Sequence, residues 1–342
     1  MARATTHLHL VIFSFTFLFA FELIIVSAHG LEEAAMLEQH EQWMARHGRI
    51  YKDSTEKATR FKIFKKNVEY IDAFNVEANK KYNLSVNKFA DMTDEEFIAS
   101  YTGYKATTKE VMLSSFSYAN VNDVPSTIDW REKGAVTDVK NQMKCGCCWA
   151  FSAVAALEGI NQMKTGQLVS LSEQELVDCD YQNHGCEGGS METAFQFITQ
   201  NNGLATEADY PYQGGAGTCD GEKRASPVAA ITSYEQVPMN DEAALLQAVA
   251  NQPVSVAVSA GQWSDLRFYN GGVFTGPCTT NLDHAVTAIG YGTSEDGTKF
   301  WLIKNSWGTE WGENGYLRIQ RDVDEKEGLC GIAMKPSYPV IM

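Results

Sequence analysis

The sequence predicts an α+β protein of two lobes, one helical and one β, preceded by a helical segment. Three observations predict it. All eight Cys lie between 145 and 330, which divides the 342 residues into a Cys-free front and a back able to cross-link. The runs that follow Cys148 and Ser172 have helical apolar spacing. Beyond about residue 228 the texture changes, and the runs 253–258, 285–289 and 300–304 are β-like with Gly-rich turns between them. A helical half beside a β half leaves a cleft.

Taken in order, residues 1–28 read as a secretory signal. Arg3 is followed by an apolar run from Leu8 to Phe21, and the small residues Val26-Ser27-Ala28 suit cleavage after Ala28. Glu22 interrupts the run and argues against a retained anchor, and no other stretch is long enough to span a bilayer. Entry into the secretory path permits disulfides.

Residues 29–123 read as a prosegment. Glu56, Arg60, Phe64, Asn67, Ile71 and Asn75 are spaced 4, 4, 3, 4 and 4, which confines them to one helical arc of roughly 100°. Asn83-Leu84-Ser85 is a glycosylation sequon, so a glycan is expected on Asn83. Residues 105–123 are polar and without helical period, as a cleavable linker requires.

The remainder carries 27 acidic against 14 basic residues over 124–342, a net of −13, within a chain total of −15. Nucleic acid is therefore not an expected partner, and a soluble monomer that repels its own copies is expected. Within this part, Cys148 stands where Trp149-Ala150-Phe151 opens a helix toward Gly166, and unpaired helix N–H groups stabilise a thiolate. Ser172 caps a second helix, with Glu175 at the capping-box position. A nucleophilic thiol needs a base, and the base needs an orienting partner. His284 opens the 285–289 run and Asn305 follows the 300–304 run. Read alone, the Cys-rich stretch is equally structural or zinc-binding, but Cys145 and Cys148 lack a second C-x-x-C or a spaced His pair, so no metal is expected.

Three motifs together resemble the papain-like cysteine proteases. Cys145-Gly146-Cys147-Cys148-Trp149 matches C-G-[SA]-C-[WY] except at Cys147, and His284 follows 136 residues later, within the family's roughly 130–150, while Asn305, at 157, falls slightly beyond it through loop length. Glu56 to Asn75 matches all six positions of the inhibitory propeptide motif E-x3-R-x3-F-x2-N-x3-I-x3-N, and Asn87, Phe89 and Asp91 match a second, G-x-N-x-F-x-D, with Ser85 in place of Gly. The resemblance covers about residues 36–342.

It implies a papain-like fold with a helical left lobe and a β-barrel-like right lobe, the mature peptidase starting near Val124 and running over 124–342. It implies a thiolate–imidazolium pair of Cys148 and His284 formed before substrate arrives, with Asn305 orienting the ring under Trp307, and Gln142 and the Cys148 N–H holding the oxyanion. Substrate would lie along Gly188, Gly189, Ser190 and Asp283. The pocket for the second residue before the scissile bond would comprise Met191, Ala257, Leu282 and Lys335, and would take Leu, Val or Phe, with Lys335 either facing water or admitting an acidic side chain.

Spacing leaves disulfide pairing open. The resemblance implies Cys145–Cys186, Cys179–Cys219 and Cys278–Cys330, leaving Cys147 and Cys148 free. Cys147 is then either a small inert side chain or a redox partner of Cys148. The implied function is a secretory endopeptidase, similar to plant vacuolar enzymes linked with senescence, made as a zymogen, matured at acidic pH and located in vacuole, lysosome or outside the cell. Polypeptide substrates, its own propeptide and cystatin-type inhibitors are the implied partners, with no cofactor. A non-catalytic storage or binding protein on the same scaffold, and a peptide ligase, are the alternatives.

Overall fold

The computed structural model describes residues 31–106, 116–121, 123–261 and 265–342. The expected signal at 1–28 and the middle of the expected linker lie outside these residues. Chain contacts divide the protein into two compact units at Glu69/Tyr70.

In the first unit a helix over 31–46 (α1) precedes α2 (Ser54–Val76), within which the division falls. Apolar and aromatic groups hold the unit together: Phe64 is fully buried, 4.9 Å from the His40 ring and 5.2 Å from Trp43. Glu56 ties the helix start to the preceding turn, accepting from the Lys52 N–H at 2.8 Å.

The second unit begins with the end of α2, followed by β1 (Tyr82–Leu84) and α3 (Asp94–Tyr101). Asn75 closes this turn by donating to Leu84 O at 2.8 Å and accepting from its N–H at 3.0 Å. Thr93 and Glu96 form a reciprocal capping box on α3. The short β2 (Ile128–Asp129) leads to the helical lobe. Here α4 (Cys148–Thr165) ends at Gly166 in the left-handed conformation, as a helix stop requires. It is followed by α5 (Glu173–Cys179), α6 (Met191–Gln200) and the short α7 (Gly221–Arg224). Ser172 caps α5, but Glu175 does not complete a capping box: its carboxylate accepts from Ala205 N–H at 2.8 Å and Asn201 Nδ2 at 2.7 Å, a tertiary use that outcompetes the local one.

The β lobe contains β3 (Ser233–Gln236), α8 (Glu242–Asn251), β4 (Val254–Val258), β5 (Tyr269–Phe274), β6 (His284–Thr293), β7 (Lys299–Lys304), β8 (Tyr316–Gln320) and β9 (Ser337–Val340). Helix α8, capped by Asp241, is an exception to the β texture expected beyond residue 228. The sheet runs β1-β5-β8-β7-β6-β4-β9-β3, with β2 on β6. Among the described residues it is open, not a closed barrel as expected, because no ladder joins β1 to β3. All pairings are antiparallel except β5 with β8. The lobes meet through α4: Ser152 Oγ donates to Val286 O at 2.7 Å, and Ser255 Oγ to Ser152 O at 3.0 Å.

Candidate active site

The register Thr287↔Lys304 sets the start of β6 beside the segment leaving β7, which brings His284 to Asn305 and Trp307. His284 Nε2 lies 2.8 Å from Asn305 Oδ1. That oxygen also accepts from the Ser306 N–H at 2.8 Å, so it is the acceptor and the imidazole Nε2 carries the proton. Nδ1 is left as the basic nitrogen, buried and without a hydrogen-bond partner. Trp307 stacks on the ring, 4.5 Å between centroids at 24°, and covers the bond.

Cys148 is the first residue of α4 and is fully buried; its Sγ accepts from the Ala285 N–H at 3.4 Å. Burial pushes the thiol up to about 12, against the Ala285 N–H and the amides at the helix start. Burial also pushes His284 down to about 4, opposed by Asn305. With the prosegment in place, burial thus opposes charge on both groups, the direction that disfavours an ion pair under protein.

The chain that covers them is residues 101–105. Gly103 and Tyr104 N–H both donate to Asp283 O at 2.8 Å, Gly189 N–H donates to Gly103 O at 2.9 Å, and Lys105 N–H to Gly189 O at 2.8 Å. A Cβ on Gly103 would stand 2.0 Å from Gly146 O, so only glycine allows this approach. Gln142 is fully buried. Its Nε2 donates to Cys145 O at 2.8 Å and to Tyr101 O at 3.3 Å, while its Oε1 accepts from Ser306 Oγ at 2.6 Å. Trp307 Nε1 donates to the same Tyr101 carbonyl at 3.1 Å. Upstream, Asn87 Nδ2 donates to Arg267 O at 2.8 Å, and Phe89 packs edge-on to Trp307, 5.8 Å between centroids. Asp91 is also buried.

Met191 and Ala257 share a buried cluster against which Leu282 packs; Lys335, partly exposed, acts on it through its charge on Glu192. Gly188 is approached by Gly103 O, and Ser190 caps α6 by accepting from the Thr193 N–H. Disulfides join Cys145–Cys186, Cys179–Cys219 and Cys278–Cys330. Cys147 is free and buried, with its Sγ 3.1 Å from the Tyr212 hydroxyl, and burial pushes its thiol well above the ordinary range. Asn83 is exposed on β1. No cluster of three or more His, Cys, Asp or Glu able to hold a metal occurs among the described residues.

Behind the site lies a buried charge cluster that the sequence does not announce. Lys140 Nζ donates to Glu173 at 2.8 Å and Glu158 at 3.1 Å, and Thr137 Oγ1 donates to Glu158 at 2.5 Å while accepting from Lys304 Nζ at 2.8 Å. The two carboxylates raise Lys140 above its ordinary range against the cost of burial.

The family model for papain family cysteine proteases matches residues 124–340. The chain belongs to this family. The cathepsin propeptide inhibitor domain matches residues 40–97, so this papain-family protease carries the propeptide of a zymogen. It is 53% identical to a senescence-specific cysteine protease of Arabidopsis thaliana, over 97% of this chain and 99% of the relative. A senescence-specific cysteine protease of Oryza sativa subsp. indica is 55% identical over 90% and 91%. Among solved structures, the recombinant stem bromelain precursor superposes with a TM-score of 0.83 at 47% identity, covering 90% of this chain and 99% of that one. No helix among the described residues is long and apolar enough to cross a membrane.

Sequence reasoning missed Ser306, Tyr104 and Glu192. Ser306 sits inside Asn305-Ser306-Trp307, so adjacency was the available signal. Glu192 follows Met191 and reads as an ordinary polar residue of a helix start.

Proposed function

We propose that this protease is a secretory-pathway endopeptidase that hydrolyses peptide bonds through Cys148 and His284 once its prosegment is removed at acidic pH. The observation that carries the reading is the unpartnered, basic Nδ1 of His284, held by Asn305 on its other nitrogen, with Cys148 bonded to the very next residue. With the prosegment gone, water and substrate reach the thiol, its proton passes to His284 Nδ1, and the thiolate attacks the scissile carbonyl carbon. The oxyanion is held by Gln142 Nε2 and the Cys148 N–H. The imidazolium gives its proton to the leaving amine, a thioester remains, and water activated by His284 releases the acid.

The propeptide is held to the β lobe by the ion pair of Asp94 with Arg267 at 3.0 Å and by the Tyr82 hydroxyl, which donates to Asp265 at 2.8 Å, contacts that must be given up on maturation. The signal-like residues 1–28, the disulfides and the senescence-specific relatives support a route to vacuole, lysosome or cell exterior. The test is incubation of the purified precursor at pH 4–5 with peptides, reading products and new N-termini by mass. A new terminus near Val124 and hydrolysed peptides are expected. A precursor that stays intact and silent would overturn the proposal, and joined peptides would favour ligation.

A further inference from the structure

The two donors proposed for the oxyanion come from separate stretches of chain, the side-chain amide from Gln142 and the main-chain N–H from Cys148 at the start of α4. A side chain from the loop between α6 and α7 joins them. The Tyr212 hydroxyl lies 2.6 Å from the main-chain oxygen of Gln142 and 3.1 Å from Sγ of Cys147, the N-cap residue of α4. A carbonyl oxygen only accepts, so the phenol proton goes to Gln142 and the buried Cys147 thiol donates to the phenol oxygen. Burial raises that thiol well above its ordinary range, which keeps it in the donor form. The Tyr212 ring is itself fixed: it packs edge-on against Phe151 of α4, 5.0 Å between centroids, and the Tyr212 N–H donates to Glu207 at 2.9 Å.

The bond to Gln142 falls on a peptide that needs holding. It leads into Met143, whose φ of +55° is a left-handed conformation that a side chain disfavours and that persists only where neighbours enforce it. On either side of this peptide the Gln142 N–H donates to Ser306 O at 2.8 Å and the Met143 N–H to Asn141 Oδ1 at 3.0 Å, and Tyr212 holds the carbonyl between them. A carbonyl free to turn would carry the Gln142 amide with it. We propose that Tyr212, with Cys147 as its donor, is a positioning residue that sets the two oxyanion donors relative to each other. Cys147 then has a use that is neither filling nor redox. The inference rests on the peptide-hydrolase reading above.

The experiment takes mature Tyr212→Phe, which keeps the ring and removes the hydroxyl, and makes three measurements. A misplacement of about 1 Å can cost on the order of 10²-fold in rate, so the loss of one restraint among several should lower kcat on a peptide substrate about tenfold. KM should stay near the wild-type value, because the oxyanion forms only in the transition state. Affinity for a peptide aldehyde, whose adduct with the thiol places an oxygen in the same hole, should fall by a similar factor. Alkylation of Cys148 by iodoacetamide, a displacement in which no oxyanion develops, should keep the wild-type rate, whereas a merely structural loss would slow alkylation and turnover together. Cys147→Ala should show the same split at about twofold, as for a weak neutral hydrogen bond, and Cys147→Ser, which puts back a donor, should recover it. If Tyr212→Phe yields no mature enzyme, this pair decides, and equal kcat in Cys147→Ala and Cys147→Ser would overturn the inference. Unchanged kcat and aldehyde affinity in Tyr212→Phe, or alkylation slowed in step with kcat, would overturn it as well. A wild type that cuts no peptide would overturn the hydrolase reading, and this inference with it.

Discussion

The side-chain amide of Gln142 donates to the main-chain carbonyl of Tyr101 at 3.3 Å, so the donor proposed for the oxyanion is engaged by the prosegment's own carbonyl. Ser306 Oγ holds the other end of the amide at 2.6 Å and fixes which way the NH2 points. Gln142→Ala should therefore lower kcat of the mature enzyme by roughly 10²–10³, about 2.7–4 kcal/mol of transition-state stabilisation, with little change in KM. Steady-state kinetics on a peptide substrate check it. Ser306→Ala should give a smaller loss, also in kcat.

The precursor should lose stability in acid through His284. Its folded pKa of about 4 lies below the ordinary 6.5, so between these values the unfolded chain binds the extra proton. The contribution is complete above pH 6.5 and is lost as pH falls toward 4, about 3 kcal/mol at full burial. Urea unfolding of the Cys148→Ser precursor, which lacks the proposed nucleophile, should show this limb, and His284→Gln should flatten it. The buried Cys148 thiol acts at the other end, with stability lost as pH rises above 9.

Removing the cation at the centre of the buried cluster should be severe. Lys140→Met strands Glu173 and leaves Glu158 with Lys304 alone at 3.9 Å, and should cost about 3–5 kcal/mol, the range for breaking a buried pair from one side. Glu173→Gln should cost less, because Lys140 keeps Glu158 as its counter-charge. Denaturant midpoints of the precursor compare the two.

Gly103→Ala should release inhibition. A methyl group 2.0 Å from Gly146 O forces the prosegment off the cleft floor, so the precursor should show activity at pH 7 and process at a higher pH than the wild type. Gly215→Ala, where an added Cβ meets nothing within 4 Å, should behave as the wild type. A continuous fluorogenic assay of both precursors checks it.

What the sequence makes legible here is local. The start of α4 at Cys148, its stop at Gly166 and the Ser172 cap follow from residue types within one turn. Helix α6 is hidden because its cap, Ser190, ends a Gly-rich loop, and α8 because apolar runs on either side suggest strands. The open sheet depends on pairings such as Tyr82↔Gly272 that join residues far apart in the chain, and spacing carries no record of them. The burial that pushes the Cys148 thiol up and the His284 imidazole down is likewise a tertiary property that the motif does not record.

β1 is lent to the sheet by the prosegment, and its departure changes the molecule's outline as well as its cleft. With the prosegment removed as proposed, β5 would turn from an interior strand into a margin, and the N–H and C=O groups of Tyr269–Gly272 that answer Tyr82–Leu84 would face water. Such a margin invites any extended chain to dock along it. Here it carries the exposed Asn270 and two successive glycines, Gly271 and Gly272, which give an incoming strand few side chains to pack on. A mature protease would thus carry a seam guarded by poverty of contacts, a useful property beside extended polypeptide chains.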